Sequence, residues 1–580
     1  MIELDTEALV IGSGFGGGVV ASRLVDEGIS VVMLERGPWR NTVPVNSMNV
    51  RIHAELPRKS FGQMFRKSLV SIYSHLWPIP RGFGINRKRG TYEVHIHQGF
   101  VSVASSQVGG GSLIYGGLID RPLDPAFWDD VAQGVSEEII APHFERAKSD
   151  LSVTTIDGSD FAFPRDLPKT MQKISIFDMT INKNMSLAYK LPGYESKPPP
   201  YGIERKNSQM RGSLSFGCLD GSKASTDNIY VGPALAKGLK LLPQFEVNSI
   251  EKKEAGGYTV YATHCDYKQP IKVHCKQLFM GAGSYNTTRL LLEAQRDEKL
   301  NPMPGLGKGI GNNGDDLAIA LNATKHGSKK GRSGFLTLFT LPDSEPDITH
   351  LIANLDPPQP TSKLLRRLLG PILKSSLVAG MGPGLANGIA VLEGNRLKIA
   401  YEPGKQKINQ AVTIGNRITS KALKLFTLKY PRKPVTAHLF GGARVSEDAT
   451  EGVVNGFGES HQNPNLYVVD AAAIPKAPAA APSLNIAAWA SHVAENAIGN
   501  CDAEAPISIK TDIDRTLRRA KVKELAMLFG CLPAATEAQS PAGHWIFKTL
   551  TADHRSFGGH FKLLFHADST VRPAAQVRCP

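Results

Sequence analysis

Residues Ala8 to Ile11 form an apolar run that leads straight into Gly12-Ser13-Gly14-Phe15-Gly16-Gly17, and a small apolar stretch, GVVASRL, follows. A second apolar run, Ser30 to Leu34, ends at Glu35, 18 residues beyond Gly17. Strand, glycine turn, helix, strand and acid in this order restrict the N-terminal segment to a βαβ unit that binds a dinucleotide. Gly12 permits the tight turn, Gly14 lets the main chain approach a pyrophosphate, and Gly17 lets the helix sit against the strand. Phe15 opens the helix, whose first N–H groups and positive dipole end face the phosphates. Glu35 is expected to accept both hydroxyls of the adenosine ribose.

Related elements recur far along the chain. A second glycine cluster, Gly109-Gly110-Gly111-Ser112, runs on as LIYGGL. Residues 134–150 read as a surface helix, and 240–280 alternate apolar and polar as strands of a small sheet. Leu278 to Gly281 is a buried strand, and Ala282-Gly283-Ser284 turns it into a helix beginning TTRLLLEA. Residues 320–430 carry short β-like runs with long loops. Leu466 to Val469 is a last buried strand ending at Asp470, and 482–499 form an apolar helix with Pro482 in its first turn. The expected fold is α/β: a Rossmann-type dinucleotide domain (1–44, 206–319 and 445–500) interleaved with a substrate domain (45–205 and 320–444). The second domain is built on a mainly antiparallel sheet plus helices. Residues 501–580 form an extension of unknown role.

Net charge is +14, and its excess is concentrated in 51–90, where nine basic residues face a single acid, Glu55. No basic, aromatic-studded groove or known motif supports nucleic-acid binding. The six cysteines form no CxxC, so neither a metal site nor a redox pair is expected. No run of 18 apolar residues spans a membrane. The first strand begins too early for a signal peptide, so a cytoplasmic protein, in peripheral contact with membrane, is expected. Residues 61–85 mix aromatic and aliphatic anchors with the basic residues, a composition that suits an anionic bilayer. Lys363 to Leu377 (KLLRRLLGPILKSSL) is similar, with Pro371 breaking its helical spacing. It reads equally as a lipid-facing or a core-packed element.

Together these segments resemble the glucose-methanol-choline (GMC) flavin oxidoreductases, and among them the cholesterol oxidase branch, over about residues 5–499. GSGFGGGVVASRL with MLERG, QVGGGSLIYGG, SKASTDNIYVGPAL, LFMGAGSYNTTRLL, HLFGGARV and NPNLYVVDAAAIP occur in the family's order. The resemblance implies FAD as cofactor, with Gly12, Gly14, Phe15, Gly17, Glu35, Gly109, Gly110, Gly111, Ser112, Val247 and Asp470 around it. It implies oxidation of the CH–OH group of a bulky, apolar, sterol-like alcohol. His438 matches the family's active-site histidine, which orients the hydroxyl and accepts or shares its proton.

Two departures bear on the chemistry. Ala481 stands where the family carries Asn or His before a proline, and Asn485, one helical turn later, is the candidate substitute. Asn354 stands where cholesterol oxidases carry the glutamate that shifts the steroid double bond, with Asp356 nearby, so oxidation without efficient isomerisation is expected. The missing polar side chain at Ala481 leaves two alternatives open. One is a non-redox lyase or decarboxylase on the same fold; the other is a non-catalytic flavin- or lipid-binding protein.

Overall fold

In the computed structural model, the first strand, β1 (Ile2–Ile11), is longer than the apolar run alone suggests, and its second half is buried on both faces. Burial on both sides is the mark of an interior strand of a parallel sheet. The structure describes residues 2–48, 50, 54–56, 69–74, 91–156, 178–182, 185–196, 202–208, 217–321, 333–341, 344–354, 362–373, 375–394, 396–422, 426–429, 433–501, 507–511, 545–548, 550–551 and 562–563.

β1 runs through the glycine turn into helix α1 (Phe15–Asp26) and back to β2 (Val31–Glu35), which pairs with it in parallel. The chain returns to this sheet at β3 (Lys240–Pro243), parallel to β2. An antiparallel meander follows: β4 (Phe245–Lys252), β5 (Tyr258–His264) and β6 (Pro270–Met280). The whole length of β6 lies parallel to β1. Strand order is therefore β4-β5-β6-β1-β2-β3.

The second sheet is antiparallel throughout. β7 (Asp316–Leu321), β8 (Ser333–Leu341), β9 (Ser344–Asn354), β10 (Ser376–Met381) and β11 (Phe426–Leu428) stand in the order β11-β7-β10-β9-β8, and Asp178–Asn182 adds at the far edge. The chain then re-enters the first sheet at β12 (Leu466–Val468), which lies parallel to the last residues of β6. The recurrence of dinucleotide-domain elements at the start, middle and end of the sequence thus has a topological cause. Ser508–Thr511 adds antiparallel to the outer half of β1.

The helices follow from burial spacing and capping. Helix α2 (Glu137–Asp150) starts at Ser136, whose hydroxyl accepts from the N–H of Ile139. Helix α3 (Ser284–Arg296) follows β6. Helix α6 (Ser483–Ile498), after Pro482, is buried along most of its length against α1 and α2. Trp489 fixes it twice: its ring stacks on Trp128 at 5.2 Å, and its indole N–H donates to the Val468 carbonyl.

Residues 320–430 differ from the β-rich expectation. Helix α4 (Lys363–Leu368) and helix α5 (Lys407–Ala422) both lie there. α5 carries Val412, Thr413, Ile414, Ile418 and Thr419, β-branched residues that favour strands. Its buried positions Asn409, Val412, Asn416 and Ser420 recur at helical spacing, so packing on the second sheet overrides propensity. For Lys363–Leu377 the core-packed alternative fails at α4, which buries none of its residues. Most of the basic loop 61–85 lies outside the described residues. Its Leu69–Ser74 strand pairs with Tyr92–Ile96.

A Cβ on Gly17 would collide with the Gly12 carbonyl beneath α1. Gly17→Ala is expected to lower stability by about 1–3 kcal/mol, the cost of overpacking, in thermal unfolding of the cofactor-free protein.

Candidate active site

The site begins at the turn after β1. Gly12 has φ +94°, a left-handed conformation open to glycine. Gly14 caps α1 with no side-chain hydrogen bond, so the first-turn N–H groups keep no protein side chain as partner. A Cβ on Gly14 would meet nothing within 4 Å. Open space beside an uncapped helix N-terminus is what a pyrophosphate requires. Gly16, on the far side, has no such room, because its Cβ would collide with the Val469 carbonyl at the end of β12.

Ser13 organises this corner. Its hydroxyl donates to Glu35 Oε2 at 2.7 Å and accepts from the Gly109 N–H at 3.0 Å. Its N–H also donates to Glu35, at 3.1 Å, and the Gly37 N–H donates to Glu35 Oε1 at 2.8 Å. Burial raises the Glu35 pKa against the lowering effect of those hydrogen bonds. Oε2 thus accepts two hydrogen bonds, and Oε1, with one, keeps a lone pair for a further donor.

The second glycine cluster lies directly over the first. Gly110 packs on Gly14, and a Cβ on Gly111 would meet open space, like one on Gly14. Ser112 is fully buried and points inward. Its hydroxyl donates to the Gly109 carbonyl at 2.6 Å and accepts from the Thr226 N–H at 2.9 Å. Thr226 in turn donates to the Ser13 carbonyl at 2.8 Å. Thr226, from the SKASTDNIYVGPAL segment, therefore staples the two glycine segments together. Phe15 closes the unit with its ring edge-on to Tyr115, 5.3 Å away.

Asp470 is buried, and both oxygens of its carboxylate are hydrogen-bonded. Oδ2 accepts from the Gly283 N–H and the Thr287 hydroxyl at 2.7 and 2.6 Å, and Oδ1 accepts from the Ala472 N–H at 2.8 Å. Burial pushes its pKa up to about 6 despite these bonds. It ties β12 to the start of α3, close to the cofactor turn. Val247 lies in the core on β4, at a register shift between Val247 and Ser249, where the ladder is interrupted.

Residues 438–445 run beside the segment after Asp470: the Gly441 and Ala443 N–H groups donate to Ala471 and Ala472. Ahead of them, Val435–Thr436 pairs in parallel with Val101–Ser102. His438 therefore stands between that short strand pairing and the segment that follows β12. Its Nδ1 lies 2.9 Å from Asp315 Oδ2, and its side chain keeps 25% of its surface exposed. Asp315 is completely buried and also accepts from the Thr436 hydroxyl at 2.6 Å and the Ala437 N–H at 3.2 Å. A carboxylate only accepts, so the proton sits on Nδ1 and Nε2 is left with its lone pair. Burial lowers the His438 pKa, but the Asp315 charge and hydrogen bond outweigh it and leave the pKa raised.

The same turn holds the other flank. Asn313 donates from Nδ2 to the Ala480 carbonyl at 3.1 Å, and its Oδ1 accepts from the Ala479 N–H at 2.8 Å. Ala481, beyond this clamp, packs on an apolar cluster of Leu118, Leu187, Tyr189, Leu191 and Ala379, with half-buried Leu317 and Leu377. Asn485 is fully buried on α6; its Oδ1 accepts from the Trp128 indole at 2.9 Å, and its Nδ2 has no protein partner. One helical turn moves a side chain about 5 Å, and here that turn carries it into the α6 packing layer. Asn354 ends β9 opposite Ser376, and Asp356 lies outside the described residues.

Ser13, Thr226, Asn313 and Asp315 escape sequence reasoning. The run Asn312-Asn313-Gly314-Asp315 is a turn signature, the one available signal for the last two. Among the described residues no cluster of His, Cys, Asp and Glu can hold a metal, and no helix is long and apolar enough to cross a membrane. Cys218, Cys265 and Cys275 are buried, and Cys501 is half-buried.

A dinucleotide cradle, a second glycine loop over it and a histidine–carboxylate pair define a flavin-dependent oxidoreductase. The chain belongs to the GMC oxidoreductase family: the family's N-terminal model matches residues 7–313 and its C-terminal model 391–490. FAD is its cofactor. It is 25% identical to a cholesterol oxidase of Mycobacterium tuberculosis over 564 residues, covering 84% of this chain and 90% of the relative. A cholesterol oxidase of Acinetobacter baumannii is 24% identical, covering 84% and 93%. A long-chain-alcohol oxidase of Arabidopsis thaliana is 21% identical, covering 83% and 65%. Among solved structures, pyridoxine 4-oxidase from Mesorbium loti shares the fold, with a TM-score of 0.55 at 14% identity, over 85% of this chain and 99% of that one. The family match and these relatives support an FAD-dependent oxidoreductase over the lyase and non-catalytic alternatives.

Gly14→Ala fills the cradle without touching the protein. It is expected to leave the unfolding temperature of the cofactor-free protein unchanged and to weaken FAD binding at least tenfold, read by fluorescence titration. Wild-type affinity in this variant would contradict the placement.

Proposed function

We propose that the protein oxidises the CH–OH group of a bulky apolar alcohol, sterol-like in shape. The observation that carries this reading is the His438–Asp315 pair, joined through the 312–315 turn to the apolar cluster at Leu317 and Ala481. FAD, when bound, supplies the hydride acceptor. His438 Nε2 accepts the hydroxyl hydrogen bond and then the proton, so the O–H bond breaks as the C–H hydride leaves. Asp315 fixes the tautomer and stabilises the imidazolium that forms. Leu317, Leu377 and Ala481 hold the hydrocarbon and keep water away. The methyl group at position 481 offers the hydroxyl no hydrogen bond. We further infer that Gly12, Gly14 and Glu35 hold the adenosine diphosphate part, and that Gly109–Ser112 and the Asp470 segment hold the flavin part. The membrane contact inferred from the charge pattern belongs to the same reading.

Anaerobic mixing with a panel of alcohols tests this proposal. Sterols and long-chain alcohols are expected to bleach the flavin absorbance, and sugars and choline are not. Bleaching by the polar alcohols alone would overturn it.

Because the base works as neutral imidazole, the rate rises as pH rises through its pKa. Asp315 holds that pKa above the ordinary histidine value. Asp315→Asn is therefore expected to move the acidic limb of the kcat/KM profile to lower pH. It is also expected to reduce kcat about 100-fold, the scale of a general-base contribution. An unmoved limb would remove His438 as the titrating group.

Asn354 cannot act as a base, so a 5-ene sterol is expected to give the unconjugated ketone first. Direct appearance of conjugated-enone absorbance at the rate of flavin turnover would refute this.

A further inference from the structure

The apolar wall at Ala481 does not stop there. Cross-strand partners share a face of a sheet. Leu317 pairs with Ala379 and Ile319 with Leu377, so these four residues point the same way. Ile319 also pairs with Leu428, and Leu321 with Phe426. The opposite face carries the buried Ala318, Ala320 and Val378, on the side where α5 packs. One apolar face therefore runs along β7 from beside Asp315 to the far end of the sheet. There it reaches solvent: Ile319 and Leu428 are exposed, and Phe426 is 68% exposed.

α4 emerges at this same end. The short helix Gly370–Leu373 follows it, and the chain enters β10 at Ser376, which pairs with Ala320, itself the partner of Thr427. Ser362 caps α4, its hydroxyl accepting from the Leu365 N–H. A capped helix with no buried residue is unusual, because helices in proteins are stabilised mainly by packing an apolar face. Leu364 and Leu368 are 67% and 66% exposed, and Leu365 is exposed with them. Lys363, Arg366 and Arg367 interleave with these leucines, and 362–373 contain no acid. Exposed leucines interleaved with cations match an anionic lipid surface, where the apolar side chains enter the acyl boundary and the cations meet headgroups.

We propose that this end of the second sheet, formed by α4 with Phe426 and Leu428, docks on an anionic bilayer. Resting on the apolar-alcohol reading above, the apolar face of β7, β10 and β11 then leads the alcohol from the bilayer to His438. The docking itself does not depend on the identity of the substrate.

Co-sedimentation of the full-length holoenzyme at low salt, with phosphatidylcholine vesicles with and without phosphatidylglycerol, tests the proposal. The wild type is expected to pellet with the anionic vesicles only. Leu364→Ser/Leu368→Ser and Lys363→Ala/Arg367→Ala are each expected to bind about tenfold or more weakly. Flavin content, unfolding temperature and flavin reduction by a detergent-dispersed alcohol are expected to stay at wild-type values in both variants. A wild type that stays in the supernatant, or variants that pellet like it, would overturn the proposal. So would a wild-type oligomer that the leucine variant dissociates without lipid, since the face would then cover a second copy. Binding to anionic vesicles without bleaching by any apolar alcohol would retain the docking and remove the substrate reading.

Discussion

The hydroxyl of Ser13 is the joint on which the cofactor site depends. It donates to Glu35 at the end of β2 and accepts from Gly109 at the start of the second glycine loop. One buried atom thus links Glu35, the first glycine turn and the second glycine loop, which lie far apart in sequence. Thr226 adds a fourth segment by bonding to the Ser13 carbonyl. Losing such a shared group leaves several buried partners unsatisfied, each at about 1–3 kcal/mol. The cradle is therefore preorganised, and the open space at Gly14 and Gly111 is framed on its protein sides before any cofactor enters.

A second joint, the turn 312–315, does for the substrate side what Ser13 does for the cofactor side. Asp315 sets the tautomer of His438, and Asn313 grips the main chain at Ala479 and Ala480. Asn313 and Ala479 both hold positive φ, at +57° and +55°. Such conformations cost about 1–3 kcal/mol each and persist only where the surroundings over-determine them, most often at functional sites. β7 begins right after this turn, so histidine, clamp and apolar wall share one rigid origin.

The fold was readable where periodicity and glycine spacing coincide. The βαβ unit, the buried strand before Asp470 and the interleaving all follow from apolar runs and turns at recognisable spacing. α5 was not readable, because its β-branched residues favour strands and only burial against the sheet decides otherwise. The glycine side of the site was likewise open to reading, since a missing Cβ leaves a pattern. Asp315 and Asn313 were hidden, because a carboxylate 123 residues before its histidine leaves no local signal. Asn485 shows how little sequence distance says of direction: one turn beyond Ala481, its Oδ1 faces Trp128. At α4 the sequence pattern fitted both core and surface, and exposure alone separates them.

The account rests on the two joints converging on one flavin. A crystal structure with FAD bound tests this most directly. It should show the pyrophosphate over Gly14 and the flavin ring between the Gly109–Ser112 main chain and the His438 imidazole, with Asp315 still bonded to Nδ1. A flavin ring directed away from His438, or an imidazole turned to offer Nδ1 to the site, would contradict it.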